Sequence, residues 1–371
     1  MKMSQQLKAP PKPKLYEIRH ALDAKYGAPT HPFHERYPGY PMFRKFIERF
    51  NSREYENPKK STDRHSVAVK EFKFPVSILQ TTWYQAESKE AEKTVRVDTL
   101  LALQEMIHHF EKDDQFATDM EGGAVRGYRG THPALIQFSS KTHVQPYVQP
   151  YMIWEHMGLL RPMMEDPNRA KIMFGCQNDL IWWHRYFDIV PFPVIDVQAV
   201  YQVMNGGQPI KLSKFVESCL PGDTMDKSLT HFDWARRHLP EEAIKYATAD
   251  SRKLFHAWHN YTIDIEHTSE KKLPEIERAL KKIMMGCIKP IKPTPPASPE
   301  KMGISEKKIC REHFYALWNW RDSVARKRDL TPRDIFRDEC IVKQANDFPG
   351  FEAIPTRHLY ARKYLKQEDN N

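Results

Sequence analysis

From about Val95 onward, apolar residues follow two kinds of spacing, one typical of helices and one typical of strands. Helical spacing occurs in VDTLLALQEMIHHF, for which Asp98 is the expected N-cap, and in NDLIWWHRYF, VQAVYQVM and IKLSKFVESCL. Short apolar runs of strand length occur in FATDM, ALIQFSS and AKIMFGC. A longer helix is predicted from Glu241 to about His267, because Pro240 and a pair of acidic residues favour a helix start. Strands that alternate with helices predict an α/β domain.

The segments on either side of this α/β part differ from it in composition. Residues 1–94 are rich in Pro, Tyr and basic side chains and are predicted to form an arm that packs on the next domain. The α/β domain itself is predicted over 95–275. Residues 276–304 are predicted to be a Pro-rich linker, since 288–301 contain five prolines and cannot continue a helix. Beyond it, 305–365 predict an all-α unit that begins with a basic amphipathic helix.

The net charge of +9 is an average over unlike parts of the chain. Residues 1–100 and 271–371 carry net charges of +7 and +8, whereas 101–270 carry −6. A basic total indicates a polyanionic partner such as nucleic acid. The acidic centre indicates either bound divalent cations or a solvated surface of acids. The chain has no apolar stretch near the roughly 18 residues of a membrane span and no GxxxxGK[ST] loop, so we expect neither a membrane protein nor a nucleotide cofactor.

Four acids and one phenol stand at positions where separate elements bring side chains together. Asp119 and Glu121 lie two residues apart in a strand, which sends both to the same face of a sheet. Asp179 opens the next helix, and Tyr246 and Asp250 share one face of the long helix. Carboxylate oxygens are the ligands that Mg²⁺ prefers, and two such ions promote in-line attack on a phosphodiester.

The order of these residues resembles that of the DEDDy 3′-to-5′ exonucleases, in the ribonuclease D branch that includes the exosome-associated exoribonuclease of eukaryotic nuclei. FATDMEGG is similar to the first motif of that family, FGCQNDLIWW to the second and KYATADSRKL to the third. Between them, VIDVQAV and HFDWARRHLPEEAIKYA resemble two further family segments. The C-terminal FYALWNWRDSVARKRDLTPRDIFRDECIVKQA is similar to the HRDC domain that follows the nuclease in this branch.

The resemblance implies a fold, a cofactor and a set of site residues. The fold would be a ribonuclease H-like exonuclease domain, with a mixed sheet flanked by helices, followed by an all-α HRDC-like domain. Two divalent ions, Mg²⁺ or alternatively Mn²⁺, would be held by Asp119, Glu121, Asp179 and Asp250, while Tyr246 would orient the attacking water. The residues implied to contact nucleic acid are Met120, Trp182, Trp234, Arg237, Arg321 and Arg326.

The chain departs from the family pattern beside the implied metal ligands. Gly122 and Gly123 stand where the exosome-type enzymes have two His. Phe174 stands where the second motif of those enzymes begins with His, and Ala235 stands in place of an Arg. These changes affect implied RNA contacts and leave the metal ligands intact. They therefore bear on substrate preference more than on chemistry.

The resulting functional hypothesis is a metal-dependent 3′-5′ exoribonuclease that releases nucleoside 5′-monophosphates. It would process or degrade the 3′ ends of single-stranded RNA, including rRNA and other non-coding RNA, in an exosome-like setting. Two alternatives stay open: a DNA 3′-5′ exonuclease of the same fold, and a non-catalytic RNA-binding subunit of a larger complex. The branch implies the nucleus or nucleolus, with a mitochondrion as the alternative.

Overall fold

A mixed sheet of six strands forms the centre of the computed structural model, which describes residues 66–75, 93–288 and 311–346 apart from positions 129, 143, 227, 230, 231 and 329. The strands are β1 (Lys93–Val97), β2 (Gln115–Gly127), β3 (Gly130–Ser139), β4 (Val144–Val148), β5 (Ala170–Met173) and β6 (Val194–Asp196). Their spatial order is β1-β4-β3-β2-β5-β6. Strand β3 runs antiparallel to β2 and β4, and the other neighbouring pairs are parallel. The predicted mixed sheet is thus confirmed.

Helices cover the sheet and continue beyond it. They are α1 (Leu100–Phe110), α2 (Pro150–Ile153), α3 (Arg161–Met164), α4 (Gln177–Phe187), α5 (Val197–Met204), α6 (Leu212–Cys219), α7 (Glu241–Ile288), α8 (Arg311–Arg328), α9 (Pro332–Ile335) and α10 (Asp338–Asn346), with a 3₁₀ helix over Trp154–Leu160. No helix among the described residues is both long and apolar enough to cross a membrane.

Strands β2 and β3 meet helix α7 across a buried layer that positions the site. Eight consecutive residues of β3, from 132 to 139, are buried. The hydroxyl of Ser139 lies 2.9 Å from that of Ser251 on α7. One guanidinium nitrogen of Arg252 donates to the carbonyls of Ser140 and Thr142, each at 3.0 Å. These bonds fix the rotation and height of α7 over the sheet.

Two boundaries differ from the sequence predictions. Thr99 is the N-cap of α1 instead of Asp98, and its hydroxyl accepts the Ala102 N–H at 3.2 Å. Residues 95–97, which the helical pattern had included, belong instead to β1, because they pair with the parallel strand β4. Helix α7 continues to Ile288 and so includes the first part of the segment predicted as linker. It continues because residues 276, 280 and 284 recur at helical spacing and are buried in the main core. The remainder of that segment, 289–304, lies outside the described residues.

The C-terminal helices α8, α9 and α10 pack around a second core that includes Phe314 and Leu317. Tyr128, at the end of β2, connects this unit to the sheet. Its hydroxyl donates to Asp322 at 2.6 Å and accepts from Arg326 Nε at 2.9 Å. Of the predicted N-terminal arm, residues 66–75 include two that are buried in the main core, and residues 93–94 begin β1. The identity of α8–α10 as an HRDC domain stays a prediction.

Candidate active site

Three carboxylates converge where β2 faces helix α7. Asp119 and Glu121 project from the same face of β2, and Asp250 lies on α7 opposite them. One oxygen from each carboxylate lies within 4.8 Å of the others, and all three side chains are partly buried. Like charges this close repel each other, so the cluster has the composition and spacing of a cation site.

Asp179 approaches the same cluster from the first turn of α4. Burial raises the pKa of its carboxyl well above the usual range, and the charges of Asp119 and, to a smaller extent, Asp196 raise it further. Among the three clustered acids, Asp119 is the one whose charge acts on Asp179. A divalent cation beside these two carboxylates would relieve the repulsion between them.

Tyr246 lies one helical turn before Asp250 and is nearly buried. Its ring centroid is 5.8 Å from that of Trp234, at an interplanar angle of 32°. Trp234 itself is only 2% exposed. The side chain of Trp234 thus supports the ring of Tyr246, and its contact with nucleic acid stays a prediction.

Gly122 follows Glu121 and leaves room for the ring of Trp182. A Cβ built on Gly122 would lie 2.7 Å from Cγ2 of Thr131 and 3.1 Å from Cη2 of Trp182. The Trp182 side chain is partly exposed. The ring of Trp182 thus lies against the strand residue that follows Glu121, and its contact with nucleic acid stays a prediction.

The loop that contains Trp234 is held against the sheet by backbone acceptors. Arg96 donates to the carbonyl of Arg237 at 3.0 Å, and Gln149 donates to the carbonyl of Arg236 at 3.1 Å. A Cβ on Gly123 would lie 3.6 Å from Cβ of Ala235. Two positions at which the chain departs from the family pattern therefore face each other.

Three other residues predicted to contact nucleic acid have different environments. Met120 is buried in the core. Strand alternation points Asp119 to one face of β2 and therefore points Met120 to the opposite face. Arg321 is 3% exposed and donates to the Phe336 carbonyl and to Asp338, so its guanidinium has partners within the C-terminal helices, and its nucleic-acid contact stays a prediction. Arg326 is partly exposed and bonds to the hydroxyl of Tyr128. In contrast, Arg237 is exposed.

Sequence reasoning missed Gln137, which pairs directly with Asp119 across β2 and β3. Cross-strand partners point to the same face, so the amide of Gln137 lies beside the carboxylate cluster. The side chain is completely buried, and neither its oxygen nor its nitrogen has a hydrogen-bond partner among the described residues. A glutamine inside the otherwise apolar run ALIQF was the available signal.

Residues 94–266 match the family profile described as 3′-5′ exonuclease, and this range contains all four acids and Tyr246. In its fold, its carboxylate cluster and its sequence profile, this part of the chain is thus similar to 3′-5′ exonuclease domains. Among curated relatives, the protein RRP6-like 3 of Arabidopsis thaliana is 27% identical over 275 residues, which cover 68% of this chain and 30% of that protein. The exosome complex component 10 homolog of Caenorhabditis elegans is 25% identical over 264 residues, covering 68% and 29% respectively.

The chain thus spans less than a third of the length of these two relatives. Among solved structures, the fold is similar to that of Escherichia coli RNase D, described as an exoribonuclease involved in structured RNA processing. The TM-score is 0.57 at 23% identity, over 70% of this chain and 67% of that one. The comparison supports the exonuclease fold found here.

Proposed function

We propose that the protein is a 3′-5′ exoribonuclease that hydrolyses single-stranded RNA from its 3′ end and releases nucleoside 5′-monophosphates. One observation carries the proposal: Asp119, Glu121 and Asp250 bring carboxylate oxygens within 4.8 Å of one another inside a domain that matches the exonuclease profile. RNA is the proposed substrate because the structurally similar RNase D is described as an exoribonuclease.

The four acids would hold the divalent cations. Asp119, Glu121 and Asp250 form one donor set, and Asp179 extends it on the side of Asp119. Mg²⁺ is the proposed ion, with Mn²⁺ as the alternative, since both accept oxygen ligands. When bound, such ions activate the attacking water and stabilise the charge that develops on the leaving oxygen.

Two aromatic side chains would position the reactants. The hydroxyl of Tyr246 would hydrogen-bond the attacking water, and the buried ring of Trp234 would keep the phenol ring in place. The partly exposed ring of Trp182 would stack on the base of the terminal nucleotide, because it lies against Gly122 next to Glu121. Orientation of this kind lowers the barrier without any change in the reacting groups.

The surroundings of the site would bind the rest of the RNA. The basic flanks of the chain, at net +7 and +8, suit a phosphate backbone. We propose that α8–α10 form an HRDC-like unit that contributes to this binding. Association with an exosome-type complex is proposed from the name of the Caenorhabditis elegans relative. The nucleus or nucleolus, and rRNA and other non-coding RNA as substrates, are proposed from the family resemblance of the motifs.

A single substitution tests the chemistry. Asp119→Asn removes one charge from the cluster and should reduce the release of nucleotides from 3′-labelled single-stranded RNA to background in the presence of Mg²⁺ or Mn²⁺. Asp114→Asn is the matched control, because Asp114 is an exposed acid just before β2 and outside the cluster. Wild-type-like activity of Asp119→Asn would overturn the assignment.

The same assay separates the alternatives. The time course uses single-stranded RNA, single-stranded DNA and an RNA with a 3′ hairpin. We expect degradation of the single-stranded RNA. Faster degradation of DNA would identify a DNA exonuclease instead. RNA binding without cleavage of any substrate would indicate a non-catalytic subunit.

A further inference from the structure

Asp196 is a buried acid close to the proposed metal site, and its bonds differ from those of the cluster. It is the last residue of β6 and is 2% exposed. Oδ1 accepts the N–H groups of Gly175 at 3.0 Å, Gln198 at 3.0 Å and Ala199 at 3.3 Å. Oδ2 accepts the Cys176 N–H at 3.0 Å and the Cys176 thiol at 3.4 Å.

These five donors belong to two different elements. Gln198 and Ala199 are in the first turn of α5, for which Asp196 is the N-cap. Gly175 and Cys176 form the turn that joins β5 to α4. One carboxylate therefore ties the start of one helix to the turn that begins another.

The β5–α4 turn depends on this external acceptor. Cys176 is at the N-cap position of α4, but its side chain makes no capping hydrogen bond to that helix. Gly175 has φ +59°, and a Cβ there would lie 3.3 Å from the side-chain oxygen of Gln198. Burial, and after it the charge of Asp196, raise the pKa of the Cys176 thiol, so the thiol stays protonated and donates.

The turn decides where Asp179 points, because Asp179 is the third residue of α4. Both oxygens of Asp196 are already occupied by donors, so this acid does not have the free lone pairs of a ligand. A role in geometry is compatible with all of these contacts, whereas a role as a ligand is not.

We propose that Asp196 is a positioning residue: by holding the backbone of the β5–α4 turn, it directs Asp179 towards Asp119 so that both acids bind a divalent cation. The proposal rests on the proposed function for the identity of the site, but it concerns metal binding and not cleavage. Groups that orient metal ligands from outside typically affect metal affinity by about 10- to 100-fold.

The test compares how tightly the wild-type full chain and its variants bind Mn²⁺. Binding is measured by the loss of the electron paramagnetic resonance signal of free Mn²⁺. Asp196→Asn keeps the size of the side chain but replaces one acceptor oxygen with an NH₂ group, which faces N–H donors in either orientation. We expect about 10- to 100-fold weaker Mn²⁺ binding. Excess Mn²⁺ should restore part of the nuclease rate in this variant but not in Asp179→Asn.

Thr99→Ala is the matched control. It removes the N-cap of α1, which follows the edge strand β1, and β4 and β3 lie between β1 and β2 in the sheet. It should lower the melting temperature and leave Mn²⁺ binding unchanged. If Asp196→Asn behaves like Thr99→Ala, with a lower melting temperature and unchanged Mn²⁺ binding, Asp196 only stabilises the fold and the proposal is overturned.

A second variant covers the case in which Asp196→Asn does not fold. Gly175→Ala strains the same turn at its positive φ and leaves Asp196 intact, so it should also weaken Mn²⁺ binding. Unchanged binding in a folded Gly175→Ala protein contradicts the proposal. Weaker Mn²⁺ binding in the variants of a protein that cleaves no nucleic acid would support the positioning role while the proposed exonuclease function fails.

Discussion

The indole ring of Trp182 lies against the backbone of Gly122, close enough that a Cβ on the glycine would be 3.1 Å from Cη2 of the ring. Gly122 is also the position at which the ladder between β2 and β3 shifts register. Strand β2 therefore changes its pairing immediately after Glu121. The lack of a side chain at Gly122 allows the aromatic ring to approach the backbone of β2 next to Glu121.

Gly122→Ala should therefore displace Trp182 or Thr131 and impair the site. Overpacking of this kind typically costs about 1–3 kcal/mol of stability. We expect a lower melting temperature and an increased KM for RNA, since the displaced ring is the proposed stacking surface. Steady-state kinetics and thermal denaturation measure both effects.

Gly158→Ala is the control for that change. Gly158 is exposed in the 3₁₀ helix, and a Cβ there meets nothing within 4 Å. Both parameters should stay at wild-type values in this variant. Equal behaviour of the two variants would show that the space at Gly122 has no special role.

Local rules were sufficient to predict which of the acids share a face. The two-residue strand period places Asp119 and Glu121 on one face, and Tyr246 and Asp250 follow the four-residue helix spacing. The structure brings Asp119, Glu121 and Asp250 together. That β2 and α7 would meet followed from the order of the motifs and the family resemblance, because local spacing does not encode a contact between distant elements.

Predictions that depended on distant contacts were less successful. Trp234 and Arg321 are buried because other parts of the chain cover them. A sequence motif does not encode such burial. The edge strand β1 was missed because its pairing with β4 is nonlocal. The length of α7 was underestimated because burial against the core overrides the proline at position 274.

Replacement of a cluster acid should affect stability in opposite ways with and without metal. In metal-free buffer, Asp250→Asn removes repulsion between carboxylates within 4.8 Å, so the variant should melt at the same temperature as the wild type or higher. Mg²⁺ at about 100 times its dissociation constant should stabilise the wild type by roughly 2.7 kcal/mol. This gain should be largely absent in Asp250→Asn.

Thermal melts in chelator and in a Mg²⁺ series measure this difference. A metal-induced shift of equal size in both proteins would place the cation elsewhere. A large loss of stability in metal-free Asp250→Asn would show that the carboxylate contributes more to folding than its repulsion costs.

Removal of the Tyr246 hydroxyl should affect turnover more than binding. Tyr246→Phe keeps the ring that packs on Trp234, so the free energy of unfolding should change by no more than about 1 kcal/mol. If the hydroxyl orients the attacking water, kcat should fall by roughly 100-fold with little change in KM.

Tyr201→Phe makes the same chemical change on α5, where the ring packs on Phe215 and Tyr261 outside the carboxylate cluster. It should leave kcat unchanged. A wild-type kcat in Tyr246→Phe would remove the hydroxyl from the mechanism.

The contact between the sheet and the C-terminal helices should weaken in alkali. Burial, and then the hydrogen bond and charge of Asp322, raise the pKa of Tyr128 to about 12. In the unfolded chain this phenol ionises near its usual pKa of about 10. Between these two pKa values the unfolded state has lost the proton that the folded state still holds, so stability falls as the pH rises.

Tyr128→Phe keeps the ring beneath the guanidinium of Arg326 and removes only the hydroxyl. At pH 8 the wild type should be more stable than this variant by about 1 kcal/mol, the usual net value of such a hydrogen bond. The difference should stay constant up to about pH 10 and decrease as the pH approaches 12, because Tyr128→Phe has no proton to lose at this position. Urea denaturation of both proteins at several alkaline pH values measures it, and the other groups that titrate there cancel in the comparison. A difference that grows with pH would mean that Arg326 stabilises the phenolate more strongly than Asp322 opposes it.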